Sequence, residues 1–472
     1  MSADVVTERG PVRDHCLAPT RTVDAPLAGG RYRSLFKLPP LRIDGPLLHT
    51  LGGLGGACEV VRWEQRDGAD ESNTAAGWPL FGQFIAHDIT ADRSPLSSDT
   101  EVLAPRNSRS PRLNLECIYG AGPVGQPYLY ERRDPAKLLL ATNDDGMYED
   151  LPRNPQGTAL IGDPRNDVHT IIAQFHLAVL KLHNGLVDRL RGDGVAEADV
   201  FTEAQQATCW HYQWIVVHEF LPLLVGPTLT AELLSEGPRW YRPTGDSFIP
   251  VEFADAAYRY GHSQIRETYQ LNGHSPASPL FPNLLGFRPI PPDCVIDWSY
   301  LFDLPGHAMA QRARKIDGHL PNALMRLPGA ITGEVDVEDL RSLAARDLQR
   351  GHRVGLPSGE AVSRHVGVEP LSEAEIGLRA LGWRDETPLW YYLLREADVC
   401  EGGEHLGPVG GRIVGEVLLG LLGHDPAAQR PLDPDWRPTL PSVTSGSFTM
   451  ADLLGFARRV ESAGHGNAGD PR

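Results

Sequence analysis

The chain has 472 residues and a formal net charge of −17 at pH 7. Its length would allow two or three domains, and its 41% hydrophobic content is enough to bury a large core. The negative charge argues against nonspecific binding to nucleic acid or to anionic membranes, because both surfaces carry phosphate groups.

Two absences set the expected location of the protein. No uninterrupted apolar run approaches the roughly 20 residues of a membrane-spanning helix, and residues 1–30 lack the apolar core of a signal peptide. The six cysteines are too few and too widely spaced for a disulfide scaffold. We therefore expect a cytoplasmic protein with reduced thiols.

Helices dominate the expected secondary structure. In chain order, the sequence predicts an extended arm over 1–40, a glycine-rich loop at 52–56, helices near 77–88, 168–192, 203–224 and 253–270, further helices beyond 335, and a disordered tail over 461–472. Few segments alternate apolar and polar residues, and 49 glycines and 40 prolines favour irregular connections. The expected fold is mainly α, with long irregular loops and little β structure.

One predicted helix carries polar side chains beside its apolar face. Between Phe81 and Thr90, Gln83 and His87 are one turn apart and lie next to the apolar stripe. Asp88 also points inward, so its carboxylate requires a compensating positive charge. A lone histidine on an apolar helix face is usually a core residue, so other segments must decide whether this one has a function.

Two further segments give that helix a context. Residues 162–167, Gly-Asp-Pro-Arg-Asn-Asp, open the long helix predicted at 168–192. Residues 258–263, Tyr-Arg-Tyr-Gly-His-Ser, place Arg259 three residues before His262, which would put both on one helical face. With the Gly-Gln-x-x-x-His-Asp pattern at 82–88, these segments resemble the catalytic segments of the animal-type haem peroxidases. The resemblance covers about residues 40–460 and implies one large helical haem peroxidase domain at 41–460.

The resemblance implies a role for each distal residue. His87 would move a proton from one peroxide oxygen to the other, because a histidine serves as base and then as acid. Arg165 matches the catalytic arginine, which stabilises negative charge on the departing oxygen. Gln83 matches the distal glutamine. The implied reaction reduces hydrogen peroxide through a ferryl iron and a porphyrin radical, which then take electrons from a small organic or halide donor.

The proximal side is predicted in the same way. His262 would be the axial ligand of the haem iron, and Arg259 would pair with a haem propionate. Asp347, within the segment 346–350, matches a position where the family usually has asparagine and would accept a hydrogen bond from His262. An anionic partner lowers the reduction potential of the iron, which argues against oxidation of chloride.

Haem attachment and calcium are the remaining cofactor predictions. Ala86 and Val168 stand where many relatives have the carboxylates that form esters with haem, so we expect non-covalent haem b. Residues 110–120 resemble the calcium loop of the family. Its predicted ligands are Ser110, the carbonyl of Arg112, Asn114 and Glu116, which an extended strand would present at alternate positions, together with Asp88 of the distal helix. The alternative is an ordinary surface loop.

Three other functions have some support in the sequence. Residues 120–125 fit the glycine pattern of dinucleotide-binding proteins, but Pro127 makes the required helix improbable. Fatty-acid dioxygenases of the same superfamily carry a radical-forming tyrosine three residues before the proximal histidine, where this chain has Arg259. A haem-binding protein without catalysis is the third alternative, and the intact set of Gln83, His87, Arg165 and His262 argues against it.

Overall fold

The computed structural model describes residues 32–43, 45–59, 70–91, 107–141, 149–333, 335, 338–428 and 435–464. Within these ranges, helices and long connections make up the fold, with two small antiparallel sheets of two strands each. The predicted mainly α class is confirmed. No helix in the described ranges is both long and apolar enough to cross a lipid bilayer.

The helices are distributed along the whole described chain. In order they are α1 Gly45–Gly52, α2 Gly77–Ile89, α3 Glu116–Tyr119, α4 Gly122–Gly125, α5 Thr170–Gly192, α6 Glu197–Ile215, α7 Leu221–Val225, α8 Pro227–Glu236, α9 Val251–Ala254, α10 Gly261–Gln264, α11 Asn322–Met325, α12 Gly329–Thr332, α13 Leu343–Arg353, α14 Gly359–Val366, α15 Glu373–Ile376, α16 Leu389–Glu401, α17 Pro408–His424 and α18 Met450–Gly464. A π-helical turn, Val216–Phe220, joins α6 to α7. Short 3-10 helices include Pro164–Asp167 and Ala257–Arg259.

The strands are short and connect distant parts of the chain. Strand β1, Glu71–Ala75, pairs with β4, Arg312–Arg314, and β2, Thr268–Tyr269, pairs with β3, Ser278–Pro279. The first pair fixes the segment that leads directly into α2.

Three of the four predicted helices occur where expected, and the fourth does not. The prediction of one helix over 253–270 is wrong, because the chain there forms α9, a 3-10 turn, α10 and then β2. Ala256 interrupts the helix with φ −139° and ψ −78°. The Arg259 side chain donates to the Ala254 carbonyl at 2.9 Å, which supports the broken path. The break lies before Arg259, and Tyr260 keeps the helical dihedral angles φ −52° and ψ −38° between the 3-10 turn and α10. Arg259 and His262 therefore still lie on one short helical path.

The ends of the chain are described only in part. Residues 1–31 of the predicted arm lie outside the described residues. Tyr32 and Phe36 are buried in the core, and the Glu252 carboxylate accepts hydrogen bonds from the backbone of Leu35 and Phe36 at 2.8 and 3.2 Å. Helix α18 extends to Gly464, so the first four residues of the predicted disordered tail are helical, and 465–472 lie outside the described residues.

The glycine pattern at 120–125 has neither the strand nor the helix that dinucleotide binding requires. It is preceded by the helical turn α3 and forms only the four-residue α4, in which no residue is buried. The 3-10 helix at 127–129 follows directly.

The helix α5 organises the core around the distal helix. It packs against α2, α6 and α18, and it is buried from Thr170 to Asn184. The ring of Phe84 on α2 meets that of Phe175 on α5 at a centroid distance of 5.0 Å. On another side α2 contacts α10, and Gly82 permits this approach because a Cβ there would lie 2.9 Å from the Tyr260 hydroxyl. The distal and proximal segments are thus packed against each other.

Candidate active site

One cavity collects side chains from segments that are far apart in sequence. The cavity together with its open mouth encloses about 1300 Å³. It is lined by α2, the turn at 164–169, the segment 253–262 and an apolar wall from 324–331. The lining residues that were predicted from the sequence are Gln83, His87, Arg165, Arg259 and His262.

His87 is held by an asparagine that the sequence analysis did not consider. Its Nδ1 lies 2.8 Å from Oδ1 of Asn166, and Nδ2 of Asn166 lies 3.0 Å from Nδ1 of His176. The amide that orients His87 is therefore itself bound to a second buried imidazole. Burial, and secondarily the charge of Arg165, lower the pKa of His87 to about 3. The imidazole is thus neutral at physiological pH, as a general base must be.

Arg165 is fixed by a buried carboxylate. Oδ1 of Asp163 accepts from the backbone N and from Nε of Arg165 at 2.9 and 3.0 Å, and Oδ2 accepts from Nη2 at 2.8 Å. Nη2 also donates to the carbonyls of His87 and Thr90 at 3.0 and 2.6 Å. Burial raises the pKa of Asp163, but the charges of Arg165 and Arg109 outweigh it and hold that pKa well below its ordinary value. Two-point binding of a guanidinium gives orientation as well as charge.

Gln83 pairs with a histidine of the neighbouring segment. Its Oε1 lies 2.8 Å from Nε2 of His169, and both residues line the cavity. Nδ1 of His169 accepts a hydrogen bond from the backbone N of Ile172 at 3.2 Å and caps α5. The start of α5 therefore fixes the position of Gln83.

On the proximal side, one buried carboxylate joins the predicted ligand and the predicted arginine. Oδ2 of Asp347 lies 2.6 Å from Nδ1 of His262, and Oδ1 accepts from Nη1 of Arg259 at 2.8 Å. Burial raises the pKa of Asp347, but His262 and Arg259 hold it below its ordinary value. Because Nδ1 of His262 binds Asp347, Nε2 is the nitrogen that would bind iron.

The guanidinium of Arg259 also contacts groups of its own segment. Besides Asp347, it contacts Asp255 at 3.3 Å and the Ala254 carbonyl at 2.9 Å. A second arginine, Arg350, also lines the cavity and lies 3.8 Å from Asp255. Sequence reasoning missed Arg350, although its place three residues after Asp347 puts it on the same face of α13 and could have indicated it.

The chemistry of the cavity fits a haem group. Haem b is a large apolar macrocycle with two carboxylates, and this cavity combines an apolar wall with Arg165, Arg259 and Arg350. His262, with its buried anionic partner Asp347, is the residue that would hold the iron of such a group. Ala86 and Val168 both line the cavity and carry no carboxylate that could form an ester with haem.

The predicted calcium loop has a different shape from the one expected. It does not run as an extended strand, because Leu115 has a left-handed φ of +57° and Glu116 begins α3. Oδ2 of Asp88 accepts from the backbone N of Leu115 at 3.0 Å, and its Oδ1 accepts from the backbone N of Cys117 at 3.4 Å. The inward carboxylate predicted at Asp88 is therefore present, but backbone N–H groups face it.

The other predicted calcium ligands are also turned toward hydrogen-bond donors. Oε2 of Glu116 accepts from N and Oγ of Ser110 at 2.9 and 2.6 Å, and Oδ1 of Asn114 accepts from the backbone N of Glu116 at 3.2 Å. Calcium requires six to eight oxygen ligands. The side-chain oxygens of this loop already accept hydrogen bonds from N–H and O–H groups, so they do not form such a set.

The comparisons with known proteins agree with the fold and the cavity. The model of the animal haem peroxidase family matches residues 107–378, more than half of the chain. Mouse thyroid peroxidase is 24% identical over 397 residues, covering 76% of this chain and 42% of that protein. Heme peroxidase 2 of Caenorhabditis elegans is 31% identical over 249 residues, covering 40% of this chain and 34% of that protein. The chain thus spans less than half the length of these relatives.

Two solved structures share the fold. Peroxidase A from Dictyostelium discoideum superimposes with a TM-score of 0.64 at 14% identity, covering 92% of this chain and 93% of the other. The fatty acid alpha-dioxygenase of Oryza sativa gives a TM-score of 0.59 at 15% identity, covering 88% and 76%. Because the family model matches more than half of its length, this chain belongs to the animal haem peroxidase family.

Proposed function

We propose that the protein is a haem-dependent peroxidase, which reduces hydrogen peroxide and oxidises a small organic or halide donor. The observation that carries this proposal is the presence of His87, Arg165 and His262 in the lining of one cavity. The cofactor is haem b held without a covalent bond, because Ala86 and Val168 offer no carboxylate to it. Calcium is not part of the proposal, since the predicted ligands face N–H donors.

His87 moves the proton. Oδ1 of Asn166 accepts Nδ1–H of His87, which leaves Nε2 as the basic nitrogen. Bound haem supplies the iron at which the O–O bond is cleaved. His87 takes the proton from the first peroxide oxygen and returns it to the departing one, so the histidine is unchanged over the step.

Two other side chains act beside His87. Arg165, aligned by Asp163, stabilises the negative charge on the departing oxygen. Gln83, aligned by His169, holds water or peroxide in the cavity through its amide.

On the proximal side, Asp347 accepts Nδ1–H of His262 and gives the ring anionic character. This anionic character lowers the reduction potential of the haem iron. We therefore expect phenols or iodide to be oxidised readily and chloride poorly.

Fatty-acid dioxygenation is the alternative, and the contacts of the proximal segment disfavour it. The position three residues before His262 is Arg259, which is bonded to Asp347. The neighbouring Tyr258 lines the cavity, but its buried hydroxyl has no hydrogen-bond partner among the described residues. A tyrosine that forms a radical loses a proton together with an electron. The Tyr258 phenol, which has no hydrogen-bond acceptor beside it in the described part of the chain, is poorly placed to do so.

The absorption spectrum of the purified, haem-loaded protein tests the proposal. The Soret band should shift on addition of hydrogen peroxide and recover when a phenolic donor is added. Oxygen uptake with an unsaturated fatty acid, without added peroxide, would support the dioxygenase instead. A Soret band that peroxide leaves unchanged would indicate a haem protein without catalysis. The cytoplasmic location stays a prediction of the sequence.

A further inference from the structure

Arg109 joins the predicted calcium loop to the catalytic-arginine segment. It is only 7% exposed, and its Nε and Nη2 donate to Oδ2 of Asp163 at 3.0 and 2.5 Å. Nη2 also donates to the Gly162 carbonyl at 2.9 Å, and Nη1 donates to Oε1 of Glu116 at 3.3 Å. One guanidinium thus binds the two segments at once.

The cluster around Arg109 already contains a cation. Glu116 and Asp163 are the carboxylates that pair with Arg109, at 3.3 and 2.5 Å. Asp163 is shared, because its Oδ2 accepts from Arg109 and from Arg165. A buried carboxylate that serves two arginines transmits the position of one to the other.

We propose that Arg109 is a positioning residue, which takes the place of a bound calcium ion in this loop and fixes Asp163, and through it Arg165. The loop then needs no metal. Its left-handed turn at Leu115 is held by the hydrogen bond to Asp88, and its acidic residue Glu116 is held by Arg109 and Ser110. The part of this inference that concerns Arg165 rests on the proposed peroxidase function, whereas the part that concerns metal does not.

Metal analysis of the holoprotein tests the replacement of calcium. Protein prepared with calcium and then gel-filtered into calcium-free buffer should contain far less than one calcium per chain, and EGTA should leave its Tm unchanged. One retained calcium per chain, or a Tm that falls with EGTA, would overturn the proposal. Both measurements hold whether or not the protein turns over peroxide.

Substitution of Arg109 tests its action on Arg165. Arg109→Gln should lower Tm by about 5 °C or more, because it leaves Asp163 with a single arginine. The rate of the peroxide-induced Soret shift, per haem-loaded chain, should fall roughly 10- to 100-fold, as expected for a displaced catalytic group. Arg109→Lys keeps the charge and should recover part of both losses. The matched control is Arg191→Gln, which removes a two-point bond to Asp134 at 2.7 and 2.8 Å outside the cavity.

The two readouts separate positioning from stability. If Arg109→Gln lowers Tm but keeps the wild-type rate per haem-loaded chain, Arg109 is only structural and the positioning role is overturned. If Arg191→Gln slows the reaction as much as Arg109→Gln does, the effect is not specific to Asp163 and the role is equally overturned. If Arg109→Gln does not fold, the rate and Tm of Arg109→Lys test the positioning role. The metal analysis of the unaltered protein tests the replacement of calcium in either case.

Discussion

Replacing Asp347 with asparagine should raise the Fe(III)/Fe(II) reduction potential of the haem-loaded protein. Asp347 lies 2.6 Å from Nδ1 of His262 and is completely buried, so the variant changes a charge-assisted hydrogen bond into a neutral one. Charge-assisted hydrogen bonds contribute about 1.5–3 kcal/mol to stability, whereas neutral hydrogen bonds contribute about 0.5–1.5 kcal/mol. If the difference of about 1–2 kcal/mol favours the ferric state, the potential should rise by roughly 40–80 mV, since 1.4 kcal/mol corresponds to about 59 mV for one electron.

A spectroelectrochemical titration of the Soret band measures this shift. The matched control is Asp255→Asn, because Asp255 contacts Arg259 at 3.3 Å, whereas Asp347 is the carboxylate bonded to Nδ1 of His262. The control should move the potential much less than Asp347→Asn does. An unchanged or lowered potential in Asp347→Asn would refute the view that this carboxylate sets the electronic state of His262.

The same carboxylate gives the protein a pH-dependent stability. The pKa of Asp347 is lower in the folded protein than in the unfolded chain. Its contribution is therefore present above the unfolded pKa, near 3.9, and is lost as the pH falls through the folded pKa. Urea unfolding from pH 6 down to pH 3 should show a smaller loss of stability with falling pH in Asp347→Asn than in the unaltered protein. Parallel curves would contradict this assignment.

Further predictions concern the cofactor and the distal side. His262→Ala should abolish stable haem incorporation, and an unchanged haem occupancy would show that another residue binds the iron. His87→Ala should retain haem but slow the peroxide-induced Soret shift roughly 100- to 10,000-fold. Asn166→Leu should slow this shift less, because the imidazole of His87 remains but is no longer oriented. With the pKa of His87 lowered to about 3, the rate of this shift should stay nearly constant from pH 8 to pH 5, and a fall near pH 6.5 would argue against a neutral, buried base. Because Ala86 and Val168 have no carboxylate, haem should be extractable into acidified organic solvent, whereas haem retained on a denatured peptide in mass spectrometry would contradict non-covalent binding.

The helices predicted from local patterns are largely those of the structure. The predictions at 77–88 and 168–192 correspond closely to α2 and α5, because an apolar stripe of helical period requires only neighbouring residues to be read. The prediction at 253–270 failed because a long-range contact of Glu252 and a local side-chain hydrogen bond of Arg259 override helical propensity there. Glu252 binds the backbone of Leu35 and Phe36, and Arg259 takes the Ala254 carbonyl.

The sequence by itself determined the types and spacing of the groups in the candidate site. Motif spacing singled out His87, Arg165 and His262, and the inward direction of Asp88 followed from its helical position. Only the tertiary structure decided the partners of these groups. Asn166 meets His87 across 79 residues, and Asp347 meets His262 across 85. No local period links positions so far apart. The sequence also indicated that Asp88 requires a compensating positive charge. In the structure the backbone N–H groups of Leu115 and Cys117 face this carboxylate instead, and burial raises its pKa to about 7, an outcome that depends on packing between segments that only the fold brings together.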